Sequence, residues 1–207
     1  MTEEEARSWI HARFDVSRET LLDRYATLLR AESENQNLIA RSTLDEIWSR
    51  HLLDSAQLIP LAAEAPDGAW LDVGSGAGLP GIVAAILTDR SIVLAEPRGR
   101  RVAFLRDVAD QLGLAARITV YPGKIENYEP KVPVAIVSAR AVAELSQLLA
   151  STIHSTDLST IWVLPKGRNA QSEVAAARRA WQGVFHVEPS LTQLDSGIVV
   201  ARGVRRK

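Results

Sequence analysis

Cysteine is missing from the 207 residues of this chain. The protein therefore has no disulfide bond, no thiolate metal site and no cysteine nucleophile. Its four histidines show no spacing typical of metal ligands, so we expect no bound metal. Long apolar runs are also missing, and the first residues do not resemble a signal peptide. We therefore expect a cytoplasmic protein that makes no use of a membrane.

Neither sign of charge is in excess, because 24 basic and 25 acidic side chains give a formal net charge of −1. Such a balance provides no overall attraction to nucleic acid. The basic residues are nevertheless concentrated in two clusters, within residues 98–106 and 202–207. If both clusters lie on the side of the fold where the strands end, they would form a local footprint for RNA.

Residues 1–66 have apolar positions at helical spacing and predict a helical segment packed on the core. Within it, the polar run from Arg50 to Ser55 stands out. We interpret this run as a helix junction held by a histidine hydrogen bond and a cap, in preference to a catalytic His51. The helices of the segment are predicted to start at Ser17 or Thr20, at Leu44 and at Asp54 or Ser55.

Residues 67–207 alternate short strands with helices, which predicts an α/β fold with a mostly parallel sheet covered by helices on both faces. The last two strands are separated by a loop too short for a helix, so we expect an antiparallel hairpin at the sheet edge. The predicted strands are Trp70–Val73, Ile92–Ala95, Ile118–Tyr121, Val134–Val137, Thr160–Leu164, Val184–Val187 and Ile198–Ala201. The predicted helices are Leu79–Leu87, Arg100–Leu112, Val142–Leu149 and roughly Ala170–Ala180.

The segment from Trp70 to Gly81 reads WLDVGSGAGLPG and is the most informative in the chain. A short apolar strand leads into a turn rich in glycine, and an apolar helix follows. Glycines at such a turn allow positive φ and let a ligand touch bare backbone. Pro80 suits the first turn of the helix, whose N-terminal N–H groups we expect to face an anionic or hydroxyl-rich ligand. The pattern predicts a cofactor-binding loop.

Two classes of cofactor use such a loop. Residues 76–81 satisfy the dinucleotide pattern GxGxxG, but in that fingerprint the first glycine directly follows the strand, whereas here Gly74 and Ser75 come first. The run Leu-Asp-Val-Gly-Ser-Gly-Ala-Gly instead resembles the first motif of class I S-adenosylmethionine (SAM) methyltransferases, a Rossmann-like fold. The terminal hairpin fits the same plan. On this interpretation the loop residues of the cofactor site are Asp72, Gly74, Ser75, Gly76, Gly78 and Leu79.

Polar residues follow the next two predicted strands, at the edge where ligands bind in open α/β sheets. Glu96 closes the second strand, where its carboxylate would accept hydrogen bonds from ribose hydroxyls. Ile125 would pack on an adenine ring, while its backbone or Glu126 would bond the ring edge. An ordinary helix-starting role for Glu126 is an equal alternative at this point.

Arg140 and Lys166 follow the fourth and fifth predicted strands and are the candidate catalytic residues. The guanidinium of Arg140 stays protonated, so it is no general base; its fork suits the carboxylate of SAM or an RNA phosphate. Lys166 would hold a phosphate or the O6 atom of guanine. The chain lacks an Asn/Asp-Pro-Pro-aromatic motif for amine methylation and a cysteine for attack on a pyrimidine. Methylation of an oxygen or of an atom with a free lone pair, such as purine N7, remains.

The chain resembles the RsmG (GidB) family of bacterial methyltransferases over most of its length. The resemblance implies SAM-dependent methylation of guanine N7 in the decoding-region loop of 16S ribosomal RNA. It also implies a cytoplasmic monomer that acts on ribosomal RNA or on a partly assembled small subunit. By position it places Gly74, Leu79, Ile125, Glu126 and Arg140 against SAM, with Glu96 near the ribose. The segments that carry the resemblance are Asn37-Leu38, Arg50–Ser55, Leu71–Gly81, Arg101–Leu105, Ser138–Ala141 and Pro165–Gly167.

Three alternatives remain beside this interpretation. The chain could be a class I methyltransferase for a small molecule or a protein. It could be a NAD(P)-dependent oxidoreductase, although the sequence contains no evident Tyr-Lys pair for hydride relay. It could also be a SAM-binding RNA chaperone without catalytic activity.

Overall fold

Seven strands form the framework of the protein in a computed structural model that describes residues 1–140 and 142–207. The strands are β1 Trp70–Val73, β2 Ile92–Ala95, β3 Ile118–Tyr121, β4 Ile136–Ala139, β5 Ile161–Gly167, β6 Trp181–Pro189 and β7 Gly197–Arg206. They make one mixed sheet in the order β3-β2-β1-β4-β5-β7-β6. Strands β1 to β5 are parallel, whereas β7 runs antiparallel to both of its neighbours.

Helices precede the sheet and connect its strands. The α-helices are α1 Glu3–His11, α2 Val16–Ser33, α3 Leu53–Ala56, α4 Leu58–Leu61, α5 Gly81–Leu87, α6 Gly99–Gln111, α7 Leu145–Thr152 and α8 Ala170–Ala177. Short 3₁₀ turns occur at Arg41–Glu46, Ile125–Asn127 and Ile153–Ser155, and a π-helical turn spans Trp48–Leu52. No helix in the described ranges combines the length and apolar character that crossing a membrane requires.

Strand β1 lies where the strand order reverses. The chain proceeds from β1 to β2 and β3 on one side and then returns to β4 on the other side. Loops that leave two neighbouring strands in opposite directions open a crevice at the carboxyl ends of those strands. The topology therefore places a crevice beside the glycine-rich turn that follows β1.

The N-terminal helices share one apolar core with the sheet. Buried residues of α1 and α2, such as Ile10 and Leu29, belong to the same cluster as Ile82 of α5 and Leu94 of β2. The buried hydroxyl of Tyr25 in α2 also donates a 2.7 Å hydrogen bond to the carbonyl of Ala77 in the glycine-rich turn. The N-terminal segment thus helps to hold this turn in place.

The sequence predicts the first three strands residue by residue, and the structure confirms them. The terminal hairpin is also confirmed, but each of its strands is longer than predicted. The predicted fourth strand, Val134–Val137, starts and ends two residues too early, because the polar Ser138 lies inside β4. Ser138 is fully buried in β4 and bonds to Trp70 and Asp72 of the neighbouring β1.

Two helices begin where a side chain bonds to an N–H group of their first turn, and not where the sequence predicts. Helix α2 begins at Val16 behind an Asp15 cap, so the predicted starts at Ser17 and Thr20 are wrong. Helix α7 begins three residues later than predicted, because the carboxylate of Glu173 accepts a 2.7 Å hydrogen bond from the N–H of Leu145.

The two helices predicted between Leu44 and Leu61 are broken into shorter turns. The carboxylate of Glu3 in α1 accepts hydrogen bonds from the N–H groups of Trp48 and Ser49, at 3.1 and 2.7 Å. These bonds fix the start of the π-helical turn from a helix 45 residues away in sequence. Helical spacing within the segment gives no sign of such a contact.

Candidate active site

A cavity of about 550 Å³ lies over the carboxyl end of β1; we call it the loop cavity. It is bounded by the glycine-rich turn and by the segments that follow β2, β3 and β4. Eight of the predicted site residues line it: Gly74, Ser75, Gly76, Leu79, Glu96, Ile125, Glu126 and Arg140.

Bare backbone forms the floor of the loop cavity. Gly74 and Gly76 have φ values of +64° and +56°, which L side chains adopt only with strain. A Cβ atom on Gly74 would lie 2.7 Å from the Cγ2 atom of Val142, which also lines the cavity. Glycine at this position therefore allows Val142 to pack against the turn.

The carboxylate of Glu96 is buried at the edge of this floor, with 2% of the residue exposed. One of its oxygens accepts a 2.9 Å hydrogen bond from the N–H of Gly76, and the other accepts a bond of the same length from the N–H of Arg98. Each oxygen keeps further lone-pair capacity. Two backbone donors thus hold the carboxylate in place while it can still accept ligand hydroxyls.

The cavity also has an apolar contact surface and a polar group beside it. Ile125 is buried on the 3₁₀ turn after β3, and its neighbour Glu126 is exposed. Both residues line the loop cavity. A flat apolar ring with polar edges fits such a pair, because the ring face can pack on the apolar side chain while its edge meets polar groups.

Asp72 and Gly78 were expected in the cofactor site, but neither is among the residues that line the loop cavity. Asp72 is fully buried behind the turn and accepts hydrogen bonds from Ser138 Oγ at 2.7 Å and from the N–H of Gly81 at 3.2 Å. Burial raises the pKa of Asp72 to about 6, against the opposing effect of these hydrogen bonds. Gly78 serves packing, because a Cβ atom there would lie 2.4 Å from Ile82 Cγ1.

The first N–H of α5 is therefore used inside the protein. The expectation that this helix start presents free N–H groups to a ligand is wrong, because Gly81 donates to Asp72 and the helix is buried. The backbone that lines the loop cavity comes instead from the turn that precedes the helix.

A second cavity of about 540 Å³ lies beside the first; we call it the His51 cavity. Leu38 and Arg140 line both cavities, so the two share a wall. The polar residues that line the His51 cavity include Thr43, Arg50, His51, Asp54, Arg140, Lys166, Glu173, Ser190, Gln193 and Ser196.

Arg140 lies at this shared wall and contacts two side chains of the N-terminal segment. Its Nη1 atom is 3.3 Å from His51 Nδ1 and 3.4 Å from Asp54 Oδ2. His51 Nε2 is 2.8 Å from Thr43 Oγ1, whose hydroxyl lies 2.8 Å from the carbonyl of Ala40. These contacts form a chain of hydrogen bonds from Arg140 to Ala40. A neutral His51 satisfies it when Nδ1 accepts from Arg140 and Nε2 donates to Thr43.

Burial, together with the positive charges of Arg140 and Arg50, lowers the pKa of His51 to about 3. The imidazole is therefore neutral at physiological pH, in agreement with the hydrogen-bond chain. It makes the structural hydrogen bond that the sequence suggested. It also faces Arg140, which the sequence did not suggest.

Asp54 connects the same cavity to the loop between β6 and β7. Its Oδ1 atom accepts hydrogen bonds from Thr192 Oγ1 at 2.7 Å and from Gln57 Nε2 at 3.0 Å. Gln57 in turn accepts a 2.8 Å hydrogen bond from the N–H of Leu191. The hairpin loop is thus fastened to the N-terminal segment beside the cavity.

Lys166 lines the His51 cavity and not the loop cavity. Its side chain is only 6% exposed, and its ammonium lies 3.1 Å from the carboxylate of Glu173. It also donates to the carbonyl of Ala143. The same carboxylate accepts the hydrogen bond at the start of α7. Lys166 therefore helps to hold the segment that follows Arg140 in place. Ala141, which ends the Ser-Ala-Arg-Ala motif, lies outside the described residues.

The two basic clusters lie at opposite ends of the parallel strands. Arg98 and Arg101 line the loop cavity at the carboxyl ends of the strands. Arg202 pairs with Ile161, the first residue of β5, and contacts Glu64 there. The expectation of a single footprint is therefore wrong, because β7 runs antiparallel and carries the C-terminal residues away from the cavities.

Sequence reasoning missed the cavity roles of Leu38, Thr43 and Asp54. Asp54 and His51 belong to the polar run that the sequence presents as a helix junction. Their convergence on Arg140 depends on the π-helical turn Trp48–Leu52, which normal helical periodicity does not indicate. No cluster of three or more His, Asp or Glu side chains is arranged for a metal ion within the described part of the chain.

Comparison with protein families gives a match over most of the chain. The model of the GidB family, described as rRNA small subunit methyltransferase G, matches residues 18–197. Two relatives named ribosomal RNA small subunit methyltransferase G are those of Zymomonas mobilis and Rhizorhabdus wittichii. The first is 42% identical over 100% of this chain and 96% of its own length. The second is 43% identical over 99% of this chain and 94% of its own length.

Solved structures with the same fold have little sequence similarity to this chain. A mutant of MtNAS in complex with S-adenosylmethionine superimposes with a TM-score of 0.59 at 16% identity, over 90% of this chain and 76% of that one. The glycopeptide N-methyltransferase MtfA gives a TM-score of 0.60 at 12% identity, over 72% of this chain and 89% of that one. Similarity at this level concerns the fold.

Proposed function

The chain belongs to the GidB family of small-subunit ribosomal RNA methyltransferases, and we propose that its target is N7 of one guanine in the decoding-region loop of 16S rRNA. The methyl donor of the enzyme is SAM. The target atom and the roles of single residues are our proposals, and the geometry of the two cavities supports them.

We assign the loop cavity to SAM. The buried carboxylate of Glu96 is suited to accept the ribose hydroxyls, because both of its oxygens are fixed by backbone donors and retain lone pairs. Ile125 and Glu126 are suited to the face and the edge of adenine. The turn at Gly74–Gly76 lines the cavity with bare backbone, which we assign to the methionine part, and Arg140 lines the wall beside it.

The observation that carries the choice of N7 is the state of His51. This imidazole has hydrogen-bond partners at both nitrogens, and its pKa of about 3 makes it a poor base at neutral pH. Methylation of an amine or a hydroxyl requires removal of a proton, whereas purine N7 already carries a free lone pair. A site without a free imidazole therefore favours an acceptor such as N7.

Bound SAM supplies an electrophilic methyl group on a sulfonium, and transfer to N7 uses the nitrogen lone pair and leaves the C–S electron pair on a neutral thioether. The protein has no proton to move in this step. Its residues hold the two reactants in line, which can contribute about 7–11 kcal/mol to the lowering of a barrier. Arg140 at the shared wall is placed to position both reactants.

We also propose that the enzyme acts as a cytoplasmic monomer on 16S rRNA or on a partly assembled small subunit. Residues 1–66 would be an integral helical segment of the SAM-binding domain 67–207. The bond between Tyr25 and Ala77 and the common apolar core support this view.

The test combines mapping in cells with transfer in vitro. Deletion of the gene should remove one N7-methylguanine from the decoding-region loop, and the intact gene should restore it. The purified protein should transfer a tritiated methyl group from SAM to 16S rRNA or to small subunits from the deletion strain. Transfer to another atom, or a complete set of methylated guanines in the deletion strain, would contradict the proposal.

Calorimetry tests the cofactor site separately. We expect binding of SAM and no binding of NAD. Glu96→Gln should weaken SAM binding about tenfold or more, because it removes a charge-assisted hydrogen bond. Glu34→Gln, at an exposed position that is not among the residues lining the cavity, is the matched control and should leave the affinity unchanged. Equal affinities of the two variants would exclude Glu96 from the site.

A further inference from the structure

The His51 cavity contains a carboxylate with an accepting oxygen that the protein only partly uses. Asp54 Oδ1 is held by Thr192 and Gln57, as described above. Within residues 1–140 and 142–207, the one hydrogen-bond partner of Asp54 Oδ2 is Arg140 Nη1, and the distance of 3.4 Å is longer than that of a strong charge-assisted bond. The side chain is 13% exposed, so it is fixed but reachable from the cavity.

The second carboxylate of the cavity is differently engaged. Glu173 holds Lys166 at 3.1 Å and the N–H of Leu145 at 2.7 Å with the same oxygen. These contacts stabilise the start of α7 and the segment after Arg140. Asp54 is the better candidate for contact with a ligand that must reach the loop cavity, because it contacts Arg140, which lines both cavities, whereas Glu173 lines the His51 cavity alone.

We propose that the His51 cavity receives the target guanine after it has left its stack, and that Asp54 recognises the base by accepting hydrogen bonds from N1–H and the 2-amino group. This inference rests on the proposed guanine-N7 activity. An enzyme that acts on a base takes it out of the stack and reads its Watson–Crick edge in a pocket. A carboxylate is the acceptor that this edge of guanine requires, whereas adenine presents an unprotonated N1 there.

The geometry of the two cavities fits this orientation. Arg140 lines both cavities and lies next to Asp54 Oδ2, so a base held by Asp54 is close to the wall shared with the SAM site. A base that lies along this wall, with its N1 edge at Asp54, can present its N7 edge to the loop cavity on the other side of Arg140. The cavity volume of about 540 Å³ is ample for a purine base.

Asp54 would also respond to the charge that the reaction produces. Transfer of the methyl group to N7 places a positive charge on the purine and strengthens N1–H as a hydrogen-bond donor. A buried carboxylate bonded to this donor interacts more strongly with the product-like transition state than with neutral guanine. Recognition of the base and stabilisation of the reaction thus come from one side chain.

The experiment compares guanosine with inosine, which lacks the 2-amino group, at the target position. Ligated 16S rRNA with either nucleoside is tested naked and after reconstitution into small subunits. The wild-type enzyme should prefer guanosine by about tenfold or more in kcat/KM, since a hydrogen bond to a charged group is lost in inosine. The affinity for each RNA, measured with S-adenosylhomocysteine in the loop cavity, should show the same preference.

Two variants separate recognition by Asp54 from its structural contacts. Asp54→Asn should reduce the guanosine-to-inosine ratio to near one, with an unchanged Kd for SAM. Thr192→Val removes the hydroxyl that holds Asp54 but keeps the carboxylate, so the ratio should stay near the wild-type value. Thermal unfolding of both variants checks that they fold.

The outcomes distinguish the two levels of the proposal. A ratio that is unaffected by Asp54→Asn, or lost equally in Thr192→Val, overturns the role of Asp54 while methyl transfer to N7 by the wild type stands. If the wild-type enzyme shows no preference for guanosine over inosine, the role of Asp54 is overturned by this result alone. If the wild type transfers no methyl group to guanine N7, the proposed function fails and the inference fails with it.

Discussion

Arg140 and His51 form a pair in which the histidine accepts and the arginine donates, with 3.3 Å between Nη1 and Nδ1. They are 89 residues apart in sequence and come from the end of β4 and the π-helical turn. His51 is held in turn by Thr43, so the imidazole can fix the direction of the guanidinium at the wall between the two cavities.

Replacement of His51 by Asn or by Gln should have unequal effects. The amide oxygen of Asn can take the place of Nδ1 and accept from Arg140, whereas the longer Gln reaches towards Thr43 and leaves Arg140 without this acceptor. We expect His51→Gln to lower kcat/KM for methyl transfer roughly 10- to 100-fold, and His51→Asn only a few-fold. Steady-state kinetics with 16S rRNA, beside SAM affinities, measures the difference. Equal losses would show that the Nδ1 acceptor is not what matters.

His51 should make the folded state less stable as the pH falls. Its pKa is about 3 in the folded protein, against an ordinary value of 6.5, so the unfolded chain takes up the proton first. The free energy of unfolding should therefore decrease between about pH 6.5 and 3, by at most about 1.4 kcal/mol per pH unit from this group. Asp72 acts in the opposite direction between about pH 6 and 3.8, because burial raises its pKa and the folded state takes up the proton first.

Urea unfolding of wild type and His51→Asn at several pH values separates the two groups. The variant lacks the histidine contribution but keeps that of Asp72. Its free energy of unfolding should therefore rise relative to that of the wild type as the pH is lowered from 7 to 4. Parallel curves for the two proteins would contradict the low pKa of His51.

Gly74→Ala should abolish or strongly weaken SAM binding, because the new Cβ atom would lie 2.7 Å from Val142 and the alanine would have to keep a φ of +64°. Gly203→Ala is the matched control. Gly203 has a φ of +60°, and apart from its two chain neighbours no described residue has an atom within 4 Å of the place that a Cβ atom would take there. Both variants should lose about 1–2 kcal/mol of stability from backbone strain, but only Gly74→Ala should lose SAM affinity by calorimetry.

Ser138→Ala should destabilise the protein by about 1–3 kcal/mol, because it leaves two buried polar groups without their partner. Ser138 accepts a 2.8 Å hydrogen bond from Trp70 Nε1 and donates one of 2.7 Å to Asp72. Ser151→Ala, which removes only a local bond to the carbonyl of Leu148, should cost much less. Urea unfolding measures both, and a similar loss in the two variants would argue against the buried chain below the turn.

Lys166 and Glu173 should behave as a coupled pair. Lys166→Met leaves a carboxylate without its cation, and Glu173→Gln leaves a nearly buried ammonium without its anion. The loss in free energy of unfolding should be larger in each single variant than half of the loss in the double variant. If Lys166 instead binds a phosphate of the RNA, Lys166→Met should mainly reduce RNA affinity and its salt dependence. A double-mutant cycle with both readouts decides between these roles.

Local sequence was sufficient for the strands next to the site. Strands β1, β2 and β3 are short, mostly apolar runs followed by Gly74, Glu96 and Pro122, so their carboxyl ends are visible in the sequence. Glu96 and Ile125 follow from the same logic, because the residue after a parallel strand lies at the ligand edge. Ser138 is the counterexample, since only the neighbouring Trp70 and Asp72 make a polar residue acceptable inside β4.

The sequence by itself determined the α/β class, the glycine-rich turn at residues 74–78 and the family, because these depend on residue types at short and fixed spacing. Only the tertiary structure decided that Asp72 supports the turn from behind, that Lys166 is tied to Glu173, and that the two basic clusters are apart. It also brought Asp54 and His51 to Arg140. Hydrogen bonds and ion pairs between side chains that are far apart in the chain depend on how whole elements pack, and no local pattern records them.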